Sequence, residues 1–278
     1  MEIINRIPRM VSTGRQLRTE GKRIGLVPTS GALHEGHLSL MSRGQELCDS
    51  VIVSILVDQV VENSAVDLAR DAELAFTRGV DFIFAPGAED MFAEGFSTSV
   101  MVEGLGEKLE GASLPGHYRG VTTAANKLLN IVRPHFAFFG RKDAQQAILV
   151  KRMVRELAMD VEIVVCPTVR EEDGLALSST NASLSTEERK AATVLRRALE
   201  RCQSLYSGGE RDSARLITSM RSIIEPESLA QVDYVTVTDT DRLDPMDVIS
   251  TASTVLVSLA VYIGATRLTD NIVLNGEL

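Results

Sequence analysis

Short apolar runs alternate with longer amphipathic segments between residues 24 and 167, and this alternation limits the folds open to the chain. The first three runs are IGLVP (24–28), VIVSILV (51–57) and VDFIFA (80–85), and the helical patterns between them reach about Cys48 and about Thr77. Strands that alternate with helices are typical of βαβ units, in which helices cover both faces of a parallel sheet. The sequence therefore predicts an α/β fold with a Rossmann-like, doubly wound parallel sheet.

The pattern resumes after an irregular middle. TTAANKLLNIV (122–132) has helical periodicity, FAFFG (136–140) is typical of a buried strand, DAQQAILVKRMVRELA (143–158) of a helix and VEIVVCP (161–167) of a further strand. The parallel sheet is therefore expected to extend to about residue 167.

The composition changes near residue 182, where we expect a domain boundary. Ser185 is followed three residues later by Glu188, which predicts a capping box at the start of a charged helix. Two polar helices are expected around YSGGERD (206–212). The segments DYVTVTD, TVLVSLAVYIG and TRLTDNIVL then predict the strands of a small C-terminal α/β domain, so the predicted division is 1–182 and 183–278.

Charge, apolar runs and cysteines exclude several classes of protein. A net charge of -9 disfavours a nucleic-acid partner, because attraction to a polyanion requires a basic surface. No apolar run approaches the roughly 18 residues of a membrane helix, and the cationic N-terminus lacks the apolar core of a secretory signal. The three cysteines lack CxxC spacing, so neither a disulfide framework nor a zinc site is expected. We expect a cytoplasmic protein that contacts neither membrane nor nucleic acid.

Two of the four histidines, His34 and His37, lie three residues apart directly after a predicted strand and a glycine-containing turn. If a helix begins near Glu35, both side chains lie at its N-terminus, where free N–H groups and the helix dipole favour phosphate. Two imidazole N–H groups there would stabilise charge on an α-phosphate under attack, which favours adenylyl transfer. Zinc ligation and two surface histidines without a role are the competing interpretations, although HEGH lacks the i, i+4 spacing of HExxH and a third ligand.

Beyond this motif, the chain resembles a known family. TSGALHEGH is similar to the TxGxxHxGH signature of the nucleotidyltransferase superfamily, and KRIGLVPTSGALHEGHLSLM resembles the pantothenate synthetases, the AMP-forming pantoate:β-alanine ligases. Four later segments match in the same order, namely EGASLPGHYRGVTT, VRPHFAFFGRKDAQQ, PTVREEDGLALSSTN and YIGATRLTDN. The ordered set extends over nearly the whole chain and is far more specific than any single motif.

The resemblance implies an ATP-binding catalytic domain over 1–182 and a small lid domain over 183–278. It assigns His34, His37 and Lys142 to catalysis, with the histidines on the ATP phosphates and the lysine on the α-phosphate. Asp143 would bind the ribose hydroxyls, and Ser178 and Ser179 would lie on a mobile phosphate-binding loop. The complete set implied to bind the nucleotide is Thr29, Gly36, Gly120, Val121, Gly140, Lys142, Asp143, Val169, Ser178 and Ser179.

The residues implied to contact the acid are Ser30, Val61 and Gln146, and here the sequence departs from the family. Asp58 and Val61 occupy the asparagine and glutamine positions of the family's Asn-Pro-x-Gln-Phe loop, which is shorter in this chain. Replacement of an amide by valine removes a hydrogen bond that would select one acid over others. Further replacements are Ser30 for methionine, Leu114 for arginine, Arg141 for glutamate, Ala144 for an aromatic residue and Thr180 for arginine.

Three hypotheses about function remain open at this stage. The default is a ligase that activates pantoate with ATP and Mg²⁺ and joins it to β-alanine through an acyl-adenylate. The second is the same chemistry on a different small acid or amine, and the third is a nucleotide-binding relative without catalysis. The resemblance also implies a homodimer and small-molecule substrates, and the spacing of the histidines predicts no metal site in the protein.

Overall fold

The computed structural model of the chain describes residues 1–56 and 67–278, which divide into two compact units. The first comprises Met1–Gly140 and Leu149–Pro167, and the second comprises Arg141–Ile148 and Thr168–Leu278. The domain boundary predicted near residue 182 separates parts that would fold independently. A division by contacts does not test independent folding, so this boundary stays a prediction.

The first unit contains a six-stranded parallel sheet with flanking helices. The strands are β1 (Glu2–Ile4), β2 (Ile24–Thr29), β3 (Ser50–Ile55), β4 (Phe82–Phe84), β5 (Phe136–Gly140) and β6 (Glu162–Cys166). Their order in the sheet is β1-β4-β3-β2-β5-β6, and every described pairing is parallel. This arrangement confirms the predicted Rossmann-like parallel sheet.

The helices of this region are α1 (Ile7–Thr19), α2 (Glu35–Leu47), α3 (Leu68–Thr77), α4 (Ala88–Met91), α5 (Glu110–Ser113), α6 (His117–Val132) and α7 (Ala144–Glu156). The division between the two units falls within α7. Helix α2 packs on β2, β3, β5 and β6, and α1 packs against α6 and β2. The contact between α1 and α6 depends on Gly14, because a Cβ there would lie 2.5 Å from the carbonyl oxygen of Val132.

Strand β1 and helix α1 were absent from the sequence-based prediction. The strand has only three residues and is recognisable through its parallel pairing with β4, in which Ile3 lies opposite Ile83. The helix has a local signal, since Pro8 lies in its first turn, where a missing N–H and a fixed φ are tolerated. The short helices α4 and α5 were absent from the prediction as well, and α6 begins at His117, before the predicted start at Thr122. The other helices and strands lie within a few residues of their predicted positions.

The second unit contains a three-stranded antiparallel sheet in the order β7 (Ala230–Asp239), β8 (Val255–Ile263) and β9 (Thr266–Leu274). Helices α8 (Thr186–Ser207) and α9 (Ser213–Ile224) pack on each other and on this sheet. The predicted capping box is present, because Ser185 Oγ accepts the N–H of Glu188 and Glu188 accepts the N–H of Ser185. The apolar core lies between the two helices and the nearly fully buried strand β8.

None of the helices in the two described ranges is both long and apolar enough to cross a membrane.

Candidate active site

The turn between β2 and α2 has an unusual backbone. Gly31 and Ala32 both have positive φ, at 88° and 51°, and a non-glycine residue in this left-handed region carries strain. Two hydrogen bonds hold the turn on the strand side, where Thr29 Oγ1 donates to Ser54 O at 2.8 Å and accepts the N–H of Gly31 at 3.3 Å. The turn is therefore fixed by its neighbours, as expected for a segment that positions a ligand.

His34 and His37 form a reciprocal cap on α2, and the predicted helix start near Glu35 is confirmed. The N-cap residue is His34, whose Nδ1 accepts the N–H of Gly36 at 3.1 Å. His37 Nδ1 accepts the N–H of His34 at 3.4 Å. Because Nδ1 acts as an acceptor in both rings, the neutral tautomer carries its proton on Nε2, which makes each Nε2–H a donor.

The two imidazole rings lie side by side at the positive end of the helix dipole. Their centroids are 4.1 Å apart with an interplanar angle of 33°. Both residues are half-buried, as is Gly36 between them, and Ser30 in the preceding turn is exposed. Two Nε2–H donors beside a helix N-terminus form a group that suits the oxygens of a phosphate.

Gly140 lies at the same edge of the sheet as this cap. It ends β5, the parallel neighbour of β2, so the carboxyl ends of both strands meet at one edge. In open α/β sheets ligands bind outside this edge. Gly120 and Val121 lie on the same unit near the start of α6, where Gly120 is exposed and a Cβ on it would meet nothing within 4 Å.

Asp71 on α3 is a site residue that sequence reasoning missed. Its side chain is fully buried, and Oδ1 accepts the N–H of Leu33, the residue before the cap, at 2.9 Å. A signal was present, since an acidic residue occupies the buried face of α3 together with Ala72 and Ala75.

In the second unit, a 3-10 turn at residues 141–143, called here the KD turn, carries Lys142 and Asp143. The Lys142 ammonium donates to Asp143 Oδ1 at 3.2 Å, and the lysine side chain is the more buried of the two. Gln146 follows, half-buried, in the first turn of α7, while its neighbour Gln145 is buried.

A hairpin at residues 169–181 carries the predicted phosphate-loop residues of this unit. Val169 O accepts the N–H of Leu177 at 3.0 Å, and Arg170 pairs with Ala176 in an antiparallel bridge. Ser178 caps a 3-10 helix, since its Oγ accepts the N–H of Thr180 at 3.3 Å, and Ser179 is exposed.

Charged residues hold this 169–181 hairpin in place. Arg189 on α8 donates to Asp173 Oδ2 at 2.7 Å and to Glu171 Oε1 at 2.9 Å, and Asn181 also donates to Glu171 Oε1 at 2.9 Å. Hydrogen bonds from Arg189 lower the pKa of both carboxyl groups, against a smaller opposing effect of burial. At the base of the hairpin, Arg170 forms a two-point ion pair with Asp270 at 2.7 and 2.9 Å.

The structure thus groups the predicted residues within each unit: Thr29, His34, Gly36 and His37 around one turn, Lys142, Asp143 and Gln146 around another, and Val169 and Ser178 across the hairpin. Val61, predicted to contact the acid, and Asp58 lie outside the described residues. Within the described ranges, no group of three or more His, Cys, Asp or Glu side chains is placed to hold a metal ion.

Comparison with known proteins identifies relatives over the whole chain. A family model described as pantoate-beta-alanine ligase matches residues 2–273. The pantothenate synthetase of Pelotomaculum thermopropionicum is 47% identical over 285 residues, with 100% of both chains covered. A crystal structure of the Thermus thermophilus pantothenate synthetase superposes with a TM-score of 0.89 at 37% identity, over 98% of this chain and 99% of that one.

A third relative was solved with ligands. The pantoate-β-alanine ligase of Francisella tularensis, in complex with beta-gamma ATP and β-alanine, has a TM-score of 0.79 at 29% identity and covers 100% of this chain and 99% of its own.

Proposed function

Since the chain belongs to the pantoate-β-alanine ligase family, we propose that it condenses pantoate with β-alanine and converts ATP to AMP and pyrophosphate. The observation that carries this proposal is the reciprocal cap of His34 and His37, which places two imidazole rings side by side at a helix N-terminus. The ligands of the Francisella tularensis relative support the same pair of substrates, ATP and β-alanine.

The first step forms an acyl-adenylate. One oxygen of the pantoate carboxylate attacks the α-phosphorus of ATP, the bond from that phosphorus to the bridging oxygen breaks, and pyrophosphate leaves with the electron pair. Charge accumulates on the phosphate oxygens in the transition state, and the Nε2–H groups of His34 and His37 stabilise it. Removal of one such preorganised donor typically costs about 10²–10³ in rate.

The KD turn supplies a cation and an acceptor for the same nucleotide. Lys142 provides a positive charge for the α-phosphate, and the carboxylate of Asp143 accepts hydrogen bonds from the ribose hydroxyls. Thr29, Gly36, Gly120, Val121, Gly140 and Val169 approach the nucleotide mainly through their backbone. The hydroxyl groups of Ser178 and Ser179 donate hydrogen bonds to the triphosphate, and their loop lowers the access of water to the adenylate.

In this proposal the acid contacts Ser30, Val61 and Gln146. In the second step the amine nitrogen of β-alanine attacks the acyl carbon of the adenylate. The bond from that carbon to the AMP oxygen breaks, AMP leaves with the electron pair, and the nitrogen loses a proton as the amide forms. No covalent bond to the protein is required in either step.

Mg²⁺ is proposed to accompany ATP. Magnesium usually retains several waters and binds substrate phosphates with one or two carboxylates, so its proposed place is on the ATP phosphates. When bound, it neutralises phosphate charge.

The test is ATP–pyrophosphate exchange with pantoate and with a panel of small hydroxy and amino acids. Exchange that depends on pantoate, followed by amide formation when β-alanine is added, is the expected result. Exchange with another acid but not with pantoate would show that the other acid is the substrate, as the altered residues Asp58 and Val61 permit. No exchange with any acid would indicate a nucleotide-binding protein without this activity.

We further propose that the protein is a cytoplasmic homodimer. Light scattering should give a mass about twice the 30.2 kDa of one chain, and a mass of one chain would refute the dimer.

A further inference from the structure

The side-chain amide of Asn271 on β9 holds the backbone of the KD turn. Its Nδ2 donates to two successive carbonyl oxygens, to that of Arg141 at 2.9 Å and to that of Lys142 at 2.8 Å. The residue is 4% exposed, so water does not replace these bonds. The orientation of the amide is unambiguous, because a flipped amide would direct its oxygen at two other oxygens.

The neighbouring residue Asp270 holds the other proposed phosphate-binding segment. Its carboxylate forms the two-point ion pair with Arg170 at the base of the 169–181 hairpin, and it also accepts the N–H of Asn271 at 2.8 Å. Asp270 and Asn271 are paired with Leu259 and Ser258 of the central strand β8. Two adjacent residues of β9 therefore bind the backbone on both sides of Lys142 and the side chain of Arg170 at the base of the hairpin that carries Ser178.

We propose that Asn271 is a positioning residue for adenylation, which acts by fixing the KD turn so that Lys142 is directed at the α-phosphate. This inference rests on the proposed function. A lysine side chain is a long, flexible stem that ends in a point charge, so its placement depends on the backbone from which it projects. A misplacement of about 1 Å in a group that contacts the transition state costs about 10²-fold in rate.

Asn271→Asp is the sharpest substitution because it preserves shape. It replaces the donor by a carboxylate oxygen that faces the carbonyl oxygens of Arg141 and Lys142, and the turn must move to relieve this repulsion. Asn271→Ala is the second variant, since it removes both hydrogen bonds without the introduction of a buried charge. It decides the outcome if the aspartate variant does not fold.

The chain offers a control in Asn275, which is exposed directly after the same strand and whose Oδ1 also accepts a hydrogen bond from the Tyr206 hydroxyl. Its Nδ2 also donates to two carbonyl oxygens, those of Ser250 at 3.0 Å and Ser253 at 3.1 Å, but neither belongs to a segment with a proposed role. Asn275→Asp makes the same chemical change away from the KD turn. Its exchange activity should equal that of the wild type.

The test is a double-mutant cycle with Lys142→Ala, measured by pantoate-dependent ATP–pyrophosphate exchange and by thermal unfolding. If Asn271 acts through Lys142, Asn271→Asp lowers kcat about 10²-fold in the wild type but less than about 3-fold in the Lys142→Ala background. Asn271→Ala should show the same coupling with a smaller loss. An effect on stability alone would give equal losses in both backgrounds.

The possible results separate the two proposals. A wild-type protein without exchange would refute the proposed function and this inference with it. An active wild type in which both Asn271 variants retain full exchange, or lose it equally with and without Lys142, would overturn the positioning role alone.

Discussion

The carboxylate of Asp71 accepts the backbone N–H of Leu33 at 2.9 Å, across 38 residues of sequence. This bond joins α3 to the strained turn at Gly31 and Ala32, and so to the histidine cap that follows. The second carboxylate oxygen is buried without a hydrogen-bond partner among residues 1–56 and 67–278, and Arg70 lies 3.5 Å from the first. A carboxylate in this setting is retained at a free-energy cost, which points to a role in the shape of the turn.

Substitution of Asp71 should therefore lower the rate of adenylation by more than the loss of folding stability would explain. Asp71→Ala leaves the Leu33 N–H buried and unpaired, at about 1–3 kcal/mol, whereas Asp71→Asn keeps an acceptor and should retain more exchange activity. The urea midpoint and pyrophosphate exchange are measured together. Asp212→Ala is the control, because it removes a similar bond to the N–H of Arg215 at the start of α9. Equal exchange in the two Asp71 variants would contradict the role of the acceptor.

The histidine cap allows structure and chemistry to be separated at one residue. His34→Asn retains an acceptor for the N–H of Gly36 but lacks an equivalent of Nε2–H, so stability should change by less than about 1 kcal/mol while exchange falls roughly 10²-fold or more. His34→Ala should lose both. The same pair of substitutions applies to His37. Exchange that survives in the asparagine variants would show that the Nε2–H groups have no catalytic part.

His135 predicts a dependence of stability on pH. Burial, with a further contribution from the positive charge of Arg18, lowers the pKa of this imidazole, and Nδ1 accepts the N–H of Ile24 at 2.9 Å. The unfolded chain binds the proton more readily, so the stabilising contribution is complete above the ordinary pKa of about 6.5 and declines as pH falls through the lowered folded value. His135→Asn keeps an acceptor but does not titrate.

The measurement compares urea midpoints of the wild type and His135→Asn at pH 7.5 and pH 5.5. The wild type should lose more stability between these two values than the variant does. Carboxyl groups that titrate at low pH are present in both proteins, so the difference isolates the histidine. Parallel pH profiles would mean that protonation of His135 does not oppose folding.

Arg189 is predicted to stabilise the 169–181 hairpin through Glu171 and Asp173. Because it lowers the pKa of both carboxyl groups, its contribution is complete above their unfolded values of about 4 and is lost as pH falls through the lowered folded values. At pH 7, Arg189→Met should lower the protection of the hairpin's backbone amides against hydrogen exchange. The difference in protection between variant and wild type should become smaller in acid.

The control for this prediction is Arg221→Met, which breaks an i, i+4 pair with Glu225, the C-cap residue of α9. Exposed pairs of this kind contribute about 0.3–0.5 kcal/mol, so hairpin protection should be unchanged in the control. A hairpin equally protected in both variants would show that Arg189 does not hold it.

Thr180 provides a test by gain of function. It is exposed next to Ser179, at a position where the family pattern has arginine. Thr180→Arg restores a cation near the proposed triphosphate contact and should raise kcat of exchange about tenfold, equivalent to about 1.4 kcal/mol. Ala182→Arg adds the same charge two residues further along the 3-10 helix, and it should raise kcat of exchange less than Thr180→Arg does. Equal rates in both variants would remove any specific role for a cation at residue 180.

The sequence by itself determined the features that depend on local pattern. The alternation of apolar runs and amphipathic segments gave the strands and helices of the parallel sheet, and the spacing of Ser185 and Glu188 gave a capping box, because hydrophobic period and capping involve residues within about four positions of each other. The HEGH motif located the candidate site at a helix start for the same reason. The nucleotide contacts of this motif, the contact of Val61 with the acid and the domain boundary at residue 182 all stay predictions.

Only the tertiary structure decided which distant residues meet. The sequence segment TRLTDN was recognised as part of a family pattern. Nothing in it indicated that Asn271 binds the carbonyl oxygens of Arg141 and Lys142, far earlier in the chain. The bond from Leu33 to Asp71 and the pairing of β1 with β4 are of the same kind. Such contacts depend on the path of the whole chain through the sheet, which no local periodicity or propensity records.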